Sequence, residues 1–290
     1  MKFYLSTANE NLKLEFLRYK KCNFVNENDL KNQNIREVIL ISIDKPRLID
    51  LTKPFYKKIL FRLEYLPVRK FPFDIYLYRF FFDFIFEWDS FLLNNSYSFL
   101  PFFPPRIGMI HENEIIKEKI EINYFINSYF KKSNLISTVI SDKKNLLWQK
   151  TRINLIDFLE MEDIKIKRFG RGINMINDKS EALISYKYHI AIENCSNGPS
   201  EKLWDPLLCN CVVFYGGNLE LIHPNIRKAI IQIPIFNKKK SKEIICKEIQ
   251  ESRVLNSINE KDWKEIKLTI KKFYSFENQF IFRDDYSFKN

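Results

Sequence analysis

Residues 186–217 decide the fold of this chain, and their sequence is Tyr-Lys-Tyr-His-Ile-Ala-Ile-Glu-Asn-Cys-Ser-Asn-Gly-Pro-Ser-Glu-Lys-Leu-Trp-Asp-Pro-Leu-Leu-Cys-Asn-Cys-Val-Val-Phe-Tyr-Gly-Gly. The apolar residues 188–192 predict one strand, and those at 212–215 predict a second. Between them, Ser200-Glu201-Lys202 is typical of a helix start, because serine is a favoured N-cap and an acid suits the first turn. A strand, a helix and a strand in this order predict two parallel strands joined by a crossover helix.

Polar residues stand where such a unit binds ligands. In an open α/β sheet, ligands lie at the carboxyl ends of strands and the amino ends of the helices that follow. Here Glu193-Asn194 ends the first strand, Asn197-Gly198-Pro199 predicts a turn, and Glu201 and Lys202 open the helix. A carboxylate, an ammonium group and free backbone N–H groups therefore meet at one place, which predicts a nucleotide-sugar site.

The rest of the second half also alternates between strands and helices. We predict further strands over 135–141, 164–169 and 229–233, and helices over 147–161, 179–185, 240–252 and 259–274. This alternation predicts a parallel sheet with helices on both faces.

The first half has a different character. Residues 38–43 predict a buried strand, which Asp44-Lys45-Pro46 ends, and the aromatic stretch 84–89 predicts another. Three prolines between 101 and 105 interrupt regular structure. The charged segment 112–130 that follows predicts a connecting helix.

Length and composition set the frame. The chain has 290 residues, of which 46% are hydrophobic, and this is enough for one large or two ordinary domains. It has only six glycines and contains neither a G-x-G-x-x-G motif nor a Walker loop. Phosphate binding would therefore depend on cationic side chains and helix amino ends. The net charge of +11 fits a polyanion, an anionic membrane face or an anionic substrate such as a sugar diphosphate.

No targeting or membrane segment is expected. The first residues lack the continuous apolar region of a signal peptide, and the apolar stretch 71–93 is interrupted by five charged residues. Each charge near a bilayer centre costs about 2.5–3.5 kcal/mol. Five cysteines without a secretion signal predict reduced thiols in a cytoplasmic protein. Cys209 and Cys211 fit no common zinc spacing, and we expect buried thiols there.

Several motifs in the second half resemble glycosyltransferase family 10, the α-1,3/1,4-fucosyltransferases. Residues 192–194 are similar to the family's Glu-Asn strand end, 200–205 to its Thr-Glu-Lys helix start, and 213–216 to its strand ending in Tyr-Gly. Upstream, Val139-Ile140-Ser141-Asp142 followed by Thr151-Arg152 is similar to the family's Val-Ser-Asn…Arg segment, and Phe169-Gly170-Arg171-Gly172 to its aromatic-Gly-x-Gly turn. The match spans about 133–235 and keeps the order of the motifs.

The resemblance implies an α/β fold of GT-B architecture, with two Rossmann-like domains facing across a cleft. We expect an N-terminal acceptor-binding domain over 1–128, a C-terminal nucleotide-sugar donor-binding domain over 129–274, and a tail over 275–290. The resemblance also implies inverting transfer of L-fucose from GDP-β-L-fucose to a hydroxyl of an oligosaccharide, as in α-1,3-fucosyltransferases, with no bound cofactor and no essential metal. Gly198 stands where some relatives carry a donor-contacting aromatic residue, so a different nucleotide sugar stays open.

Site residues follow from the chemistry and the resemblance together. Departure of GDP builds negative charge on the diphosphate, which a metal-free enzyme must balance with cations and helix amino ends. The resemblance implies that Arg152 and Lys202 contact the diphosphate and that Glu201 accepts hydrogen bonds from the ribose, with Ser200 as the N-cap. Two structural alternatives stay open: Arg152 as a surface helix residue, and Glu201 as an acid that complements the helix dipole.

The strand ends carry the remaining donor-site candidates. We expect Glu193 to order the loop or contact donor sugar hydroxyls, and Asn194 to hydrogen-bond the turn or merely cap the strand end. Tyr215 and Gly216 end the next strand, where a missing side chain would let the backbone approach the donor.

Inverting transfer also needs a general base. The family draws a glutamate from its first domain for this role, and Asp44 falls where that residue would sit. Asp44 is equally interpretable as a strand-end turn residue, and Glu112 and Glu114 are the alternatives.

A basic surface is predicted on the last two helices, formed by Lys238, Lys239, Lys240, Lys242, Lys247, Lys264, Lys267, Lys271 and Lys272. It is either a solvated helix face or a site of attachment to an anionic membrane that carries a lipid-linked acceptor, in which case the protein lies at the inner face of the membrane. A third class of function, nucleic-acid binding, is disfavoured, because the aromatic residues follow buried-strand patterns and no RNA-binding motif occurs.

Overall fold

A computed structural model describes residues 2–7, 23–62, 77–87, 97–98, 105–112, 115–194, 199–220 and 222–274. The chain divides into two compact units, one within residues 1–102 and one within 103–275. Each unit is built on its own parallel β-sheet. Gly198, Cys195, Glu114 and the predicted tail over 275–290 lie outside the described residues.

In its described residues, the first unit contains a parallel sheet, two short α-helices and a 3-10 helix at Ile35–Glu37. Its elements are β1 (Lys2–Ser6), β2 (Phe24–Val25), α1 (Glu27–Lys31), β3 (Val38–Ile43), α2 (Leu48–Leu51), β4 (Lys57–Phe61), β5 (Phe84–Glu87) and β6 (Tyr97–Ser98). The strand order is β2-β1-β3-β4-β5-β6. All six residues of β3 are buried, as expected for a central parallel strand that is covered on both faces.

The second unit begins with a hairpin and continues with alternating strands and helices. Its first elements are β7 (Met109–Glu112), β8 (Ile115–Lys119), α3 (Ile122–Asn127), β9 (Asn134–Val139), α4 (Leu147–Met161), β10 (Lys167–Phe169) and the 3-10 helix Lys179–Ala182. They are followed by β11 (Tyr186–Ile192), α5 (Glu201–Leu208), β12 (Val212–Gly216), α6 (Pro224–Arg227), β13 (Ile230–Gln232), α7 (Lys238–Glu251), α8 (Arg253–Ser257) and α9 (Glu260–Tyr274).

The order of the strands locates the ligand-binding edge of this unit. The parallel sheet runs β10-β9-β11-β12-β13. Counted from β9, this is the 2-1-3-4-5 order of doubly wound folds, in which the connections reverse direction between the first and third strands. The crevice outside the carboxyl ends of β9 and β11 is therefore where a ligand is expected.

Both faces of the second sheet are covered. Side chains alternate between the faces of a strand, and neighbouring residues of β11 contact different elements. The Tyr188 hydroxyl donates to Glu248 of α7, whereas His189 contacts Ser137, whose hydroxyl donates to the carbonyl of Ala182 in the 3-10 helix. The α/β prediction, with a Rossmann-like sheet in each unit, is confirmed.

The predicted connecting helix over 112–130 is wrong in its first part, where β7 and β8 form an antiparallel hairpin. Residues 105–112 belong to the second compact unit. The physical reason lies in four consecutive backbone N–H groups. Those of Arg106 and Ile107 donate to Asp205, and those of residues 108 and 109 donate to Asp178.

One residue of the predicted basic surface is not at the surface. Lys267 is 1% exposed, and its ammonium group donates to the carbonyls of Phe125 and Ser128 and to Asn210 Oδ1, at 2.8, 2.6 and 2.9 Å. Lys267 therefore connects α9 to the end of α3 and does not belong to the basic surface. No helix among the described residues has the length and apolarity to span a bilayer.

Candidate functional site

Arg152 of α4 lies at the predicted crevice and is 5% exposed. Its guanidinium donates to Asn194 Oδ1 at 2.9 Å and to Ser141 Oγ at 3.0 Å. Ser141 follows β9 and Asn194 follows β11, so these contacts connect the two strand ends at the reversal point. The Nε atom of Arg152 is buried without a hydrogen-bond partner, and no carboxylate of the described residues lies within 4.0 Å of the guanidinium. Burial lowers the pKa of Arg152 from its ordinary value, and the Glu193 carboxylate opposes part of that fall.

Glu193 is 0% exposed, and its carboxylate is fully occupied by protein groups. It accepts from the Ser200 backbone N–H at 2.8 Å, from the Ser200 hydroxyl at 2.6 Å and from the Tyr215 hydroxyl at 3.2 Å. The Lys202 ammonium lies 3.7 Å from Oε2. Burial raises the pKa of Glu193, and the Lys202 and Ser200 contacts oppose that rise. These contacts attach the residue after β11 to the N-cap Ser200, and both expected roles of Glu193 stay predictions.

The amino end of α5 is built as its sequence suggests. Ser200 is the N-cap, and its hydroxyl accepts from the backbone N–H of Lys202 at 3.3 Å. The Lys202 ammonium also donates to that hydroxyl at 3.2 Å and lies 3.6 Å from Glu201 Oε1. Burial raises the pKa of Glu201, but neighbouring cations, led by Lys202 and Lys179, outweigh burial and hold the pKa well below its usual range. Glu201 is therefore an ionised acceptor.

Two charged residues of this region were not singled out in the sequence. Lys179, at the start of the 3-10 helix, lies 2.9 Å from Asp205 Oδ2 and 3.7 Å from Glu201 Oε1. Asp205 is one turn after Glu201 in α5 and is 1% exposed. The spacing of Glu201 and Asp205 places both carboxylates on one face of the helix, but nothing in the sequence pairs that face with Lys179.

Tyr215 and Gly216 lie at the carboxyl end of β12, beside Ile192 of β11. A Cβ atom on Gly216 would lie 2.3 Å from Ile235 Cγ2 and 3.2 Å from Ile192 Cγ1. The space beside this glycine is thus filled by side chains of the protein itself. Close packing, more than approach of a donor, accounts for a glycine at this position.

The Gly170-Arg171-Gly172 turn packs against the loop after β9. Both glycines have positive φ angles, of 126° and 79°. A Cβ atom on Gly170 would lie 2.1 Å from the Ile140 carbonyl oxygen, and one on Gly172 would lie 2.4 Å from Asp142 Oδ2. The turn therefore fixes the loop that carries Ser141, one of the two partners of Arg152.

Asp44 belongs to the first unit, where it follows β3 with a left-handed φ of 52°. Its N–H donates to the carbonyl of Phe61 at 2.8 Å, and its carbonyl accepts from the Arg62 guanidinium at 3.2 Å. In that sheet the connections reverse between β1 and β3, so Asp44 stands at a carboxyl edge of the expected kind. Its role as base or as turn residue stays a prediction.

The cysteine prediction concerns the other end of α5. Cys209 and Cys211 are free and fully buried. Burial raises the pKa of both thiols, and Cys211 Sγ donates to the carbonyls of Leu183 and Tyr186. Both are thus buried thiols, as expected. In the described part of the chain, no group of three or more His, Cys, Asp and Glu side chains is arranged to hold a metal ion.

A cavity of about 660 Å³ lies at the opposite edge of the second sheet, among residues that include Asn134, Lys167 and Tyr186. These are the first residues of β9, β10 and β11, so the cavity is at the amino ends of the strands. In parallel α/β sheets, ligands bind at the carboxyl ends. The polar cluster around Arg152 and Glu201 is therefore the better candidate.

Comparison with known proteins links this fold to glycosyltransferases. The sequence matches no protein family and no curated protein. An α1,3-fucosyltransferase crystal structure is similar, with a TM-score of 0.53 and 16% identity over 98% of this chain and 91% of the other.

Two further solved structures extend this similarity. An α1,3-fucosyltransferase with GDP-fucose has a TM-score of 0.50 and 14% identity, over 94% of this chain and 90% of the other. A glycosyltransferase from Rickettsia africae ESF-5 has a TM-score of 0.55 and 11% identity, over 96% and 95%. The predicted glycosyltransferase fold is confirmed.

Proposed function

We propose that this protein is an inverting glycosyltransferase that moves L-fucose from GDP-β-L-fucose to a hydroxyl of an oligosaccharide, as α-1,3-fucosyltransferases do. The proposal combines the sequence motifs with the geometry around Arg152. Similar folds occur in an α1,3-fucosyltransferase bound to GDP-fucose and in a glycosyltransferase of a different description. A related transferase with another nucleotide sugar is the alternative, and the same experiment distinguishes the two.

The observation that carries the proposal is the buried guanidinium of Arg152, which has no carboxylate of the described residues within ion-pair distance. A buried charge without a partner costs several kcal/mol, so buried cations are normally paired with an anion. Here the guanidinium is oriented by two neutral oxygens, those of Asn194 and Ser141, and keeps one buried N–H without an acceptor. An anion that enters from the crevice would supply the missing charge and acceptor. A diphosphate suits this fork of donors because its oxygens can accept two parallel hydrogen bonds.

The amino end of α5 supplies the rest of the diphosphate site. Its backbone N–H groups and dipole favour an anion, and the ammonium of Lys202 is partly exposed beside them. When the sugar leaves, negative charge grows on the β-phosphate. Arg152, Lys202 and the helix end would stabilise that charge more strongly in the transition state than in the bound donor, which lowers the barrier to transfer.

The acceptor hydroxyl must lose a proton as it attacks the anomeric carbon. We retain Asp44 as the proposed general base. Glu193, by contrast, is proposed to act through Ser200 and Lys202 without touching the substrate, because its two oxygens are already occupied. A change of Asp44 to Asn should abolish transfer yet leave donor binding intact, and a variant with wild-type turnover would remove Asp44 from the mechanism.

Nucleotide-dependent thermal stability tests the proposed donor. Wild-type protein is heated with GDP, UDP, CDP or GDP-fucose at equal concentrations. A ligand at a hundred times its Kd adds about 2.7 kcal/mol to the free energy of unfolding. We expect GDP and GDP-fucose alone to raise the Tm. A response to UDP or CDP instead would retain a transferase and reject fucose, and a response to none would contradict the proposal.

The control for that experiment is another cation of the same helix. Lys150 is exposed on α4, two residues before Arg152. Lys150→Met should keep the full GDP response, whereas Arg152→Met should lose it. Equal responses in the two variants would show that general positive charge, and no particular site, binds the nucleotide.

We further propose that the protein is cytoplasmic and that the lysines at 238–240 attach it to an anionic membrane. All three are exposed at the start of α7, and each basic residue near an anionic surface contributes about 1 kcal/mol. Co-sedimentation with phosphatidylglycerol vesicles at low salt tests this. Binding should be lost when the three lysines are replaced by glutamine. Equal sedimentation of wild type and variant would contradict the proposal.

A further inference from the structure

The ion pair between Lys179 and Asp205 lies beside Glu201, whose Oε1 atom is 3.7 Å from the Lys179 ammonium. Lys179 belongs to the 3-10 helix and Asp205 to α5, so the pair connects two separate elements of the second unit. Asp205 Oδ2 accepts from the Lys179 ammonium at 2.9 Å. Its Oδ1 accepts from the backbone N–H groups of Arg106 and Ile107 at 2.8 and 3.2 Å. With both oxygens engaged, the Asp205 carboxylate cannot rotate, and it holds the ammonium in place.

The two oxygens of Glu201 have different surroundings. Oε1 lies 3.7 Å from the Lys179 ammonium and 3.6 Å from that of Lys202. Oε2 is buried and has no hydrogen-bond partner. Leaving a buried acceptor unsatisfied is unfavourable, so Oε2 is the oxygen with capacity for a donor from a ligand.

Lys202 cannot hold Glu201 in place by itself. Its ammonium is shared among the Ser200 hydroxyl, Glu193 and Glu201, at 3.2, 3.7 and 3.6 Å. A diphosphate at the amino end of α5 would compete for the same ammonium. Once Lys202 turns to a phosphate, the Lys179 ammonium remains 3.7 Å from Glu201 Oε1, and Arg106 also helps to hold the pKa of that carboxyl down.

We propose that Lys179 and Asp205 are positioning residues. Lys179 holds Oε1 of Glu201, so that Oε2 faces a ribose hydroxyl and the site selects ribonucleotides over deoxyribonucleotides. This inference rests on the proposed function. It makes the anchored lysine a determinant of specificity toward the sugar of the nucleotide, separate from the cations that bind the phosphates.

Calorimetric titration with GDP, 2′-deoxy-GDP and 3′-deoxy-GDP tests the proposal. Loss of a hydrogen bond to a charged acceptor should weaken wild-type binding about ten-fold or more for at least one deoxy analogue. We call the Kd of that deoxy analogue divided by the Kd of GDP the ribose ratio. In Lys179→Met the ribose ratio should fall toward one. The ratio of GMP to GDP binding should stay near that of wild type, because it reports the phosphate contacts. A wild-type ribose ratio in Lys179→Met would overturn the proposal.

Two more variants separate positioning from folding. Lys179→Arg keeps a cation beside Glu201 and should restore the ribose ratio. Asp205→Asn keeps Oδ1 as an acceptor for the backbone N–H groups but removes the ion pair, and it should lower the ratio as Lys179→Met does. If wild-type protein binds GDP without preferring it to either deoxy form, the inference fails and the proposed function stands. If it binds no nucleoside diphosphate, the proposed function itself fails.

Discussion

Glu193 and Ser200 are joined by two hydrogen bonds, one to each oxygen of the carboxylate. The Ser200 backbone N–H donates to Oε1 at 2.8 Å, and its hydroxyl donates to Oε2 at 2.6 Å. The end of β11 is thereby attached to the N-cap of α5. The candidate site depends on this attachment, because it sets where α5 begins relative to the strand ends.

Replacing Glu193 should test how much this attachment stabilises the unit. Glu193→Ala would remove the acceptor that the Ser200 N–H, the Ser200 hydroxyl and the Tyr215 hydroxyl share, and one of the two carboxylates beside Lys202. We expect a loss of about 3–5 kcal/mol in the free energy of unfolding. Glu193→Gln keeps one carbonyl oxygen and should lose about 1–2 kcal/mol. Urea denaturation measures both values.

An exposed glutamate provides the comparison for that series. Glu243 pairs with Lys240 on the surface of α7, and exposed pairs of this kind contribute at most about 1 kcal/mol. Glu243→Ala should therefore be close to wild type. If Glu193→Ala and Glu243→Ala proved equally mild, the Glu193–Ser200 attachment would have no structural importance.

Arg152 should show opposite effects on stability and binding. Without ligand, its guanidinium is a buried charge with no carboxylate of the described residues within 4.0 Å, although Glu193 acts on it from farther away. Replacement of buried charged groups by apolar residues of similar size is often neutral or stabilising. Arg152→Met should unfold within about 1 kcal/mol of wild type or at higher urea. Its affinity for GDP should fall about 10- to 100-fold, because charge-assisted hydrogen bonds to phosphate are lost. Strong destabilisation with unchanged GDP affinity would assign Arg152 a purely structural role.

Much of the second unit follows from the periodicity of its apolar residues. The predicted bounds of α4 are those observed, and β11, β12 and α9 differ from prediction by a residue or two. In these elements local pattern and tertiary packing agree. The 3-10 helix at Lys179–Ala182 is shorter than the helix predicted over 179–185, and a capping box of Asp178 and Glu181 forms its start.

Contacts between elements could not be predicted in the same way. Lys179 meets Asp205 only because the 3-10 helix and α5 lie side by side, and no spacing in the sequence reports this. Lys267 resembles its solvated neighbours in α9 in sequence. It can nevertheless be buried, because two carbonyls and an amide oxygen accept hydrogen bonds from its ammonium group. The hydrogen bonds of Asp178 and Asp205 to the backbone of residues 106–109 likewise have no signal in the sequence.

Gly216 should tolerate a side chain only if its neighbour becomes smaller. An alanine Cβ would lie 2.3 Å from Ile235 Cγ2, and overpacking of this kind costs about 1–3 kcal/mol. Ile235→Ala alone should also destabilise, because it leaves a cavity. In the double variant the two changes should partly compensate, which a double-mutant cycle measured by urea denaturation reports as a favourable coupling energy. Strictly additive losses would contradict the packing explanation for this glycine.

His189 should make the protein sensitive to mild acid. Its Nδ1 lies 2.9 Å from the Ser137 hydroxyl, which itself donates to the Ala182 carbonyl, so Nδ1 carries the proton of a neutral ring. Burial, with help from Lys179 and Lys132, lowers the pKa of His189 to about 3, against about 6.5 in an unfolded chain. Between these values the unfolded chain binds a proton that the native protein does not, so the free energy of unfolding falls as the pH drops through this window.

His189→Asn can still donate to Ser137 but does not titrate. Its stability difference from wild type should therefore shift in favour of the variant by about 2 kcal/mol between pH 7.5 and pH 5. The carboxylates titrate equally in both proteins and cancel in this difference, so parallel pH profiles of urea denaturation would show that His189 binds protons equally in the native and unfolded states.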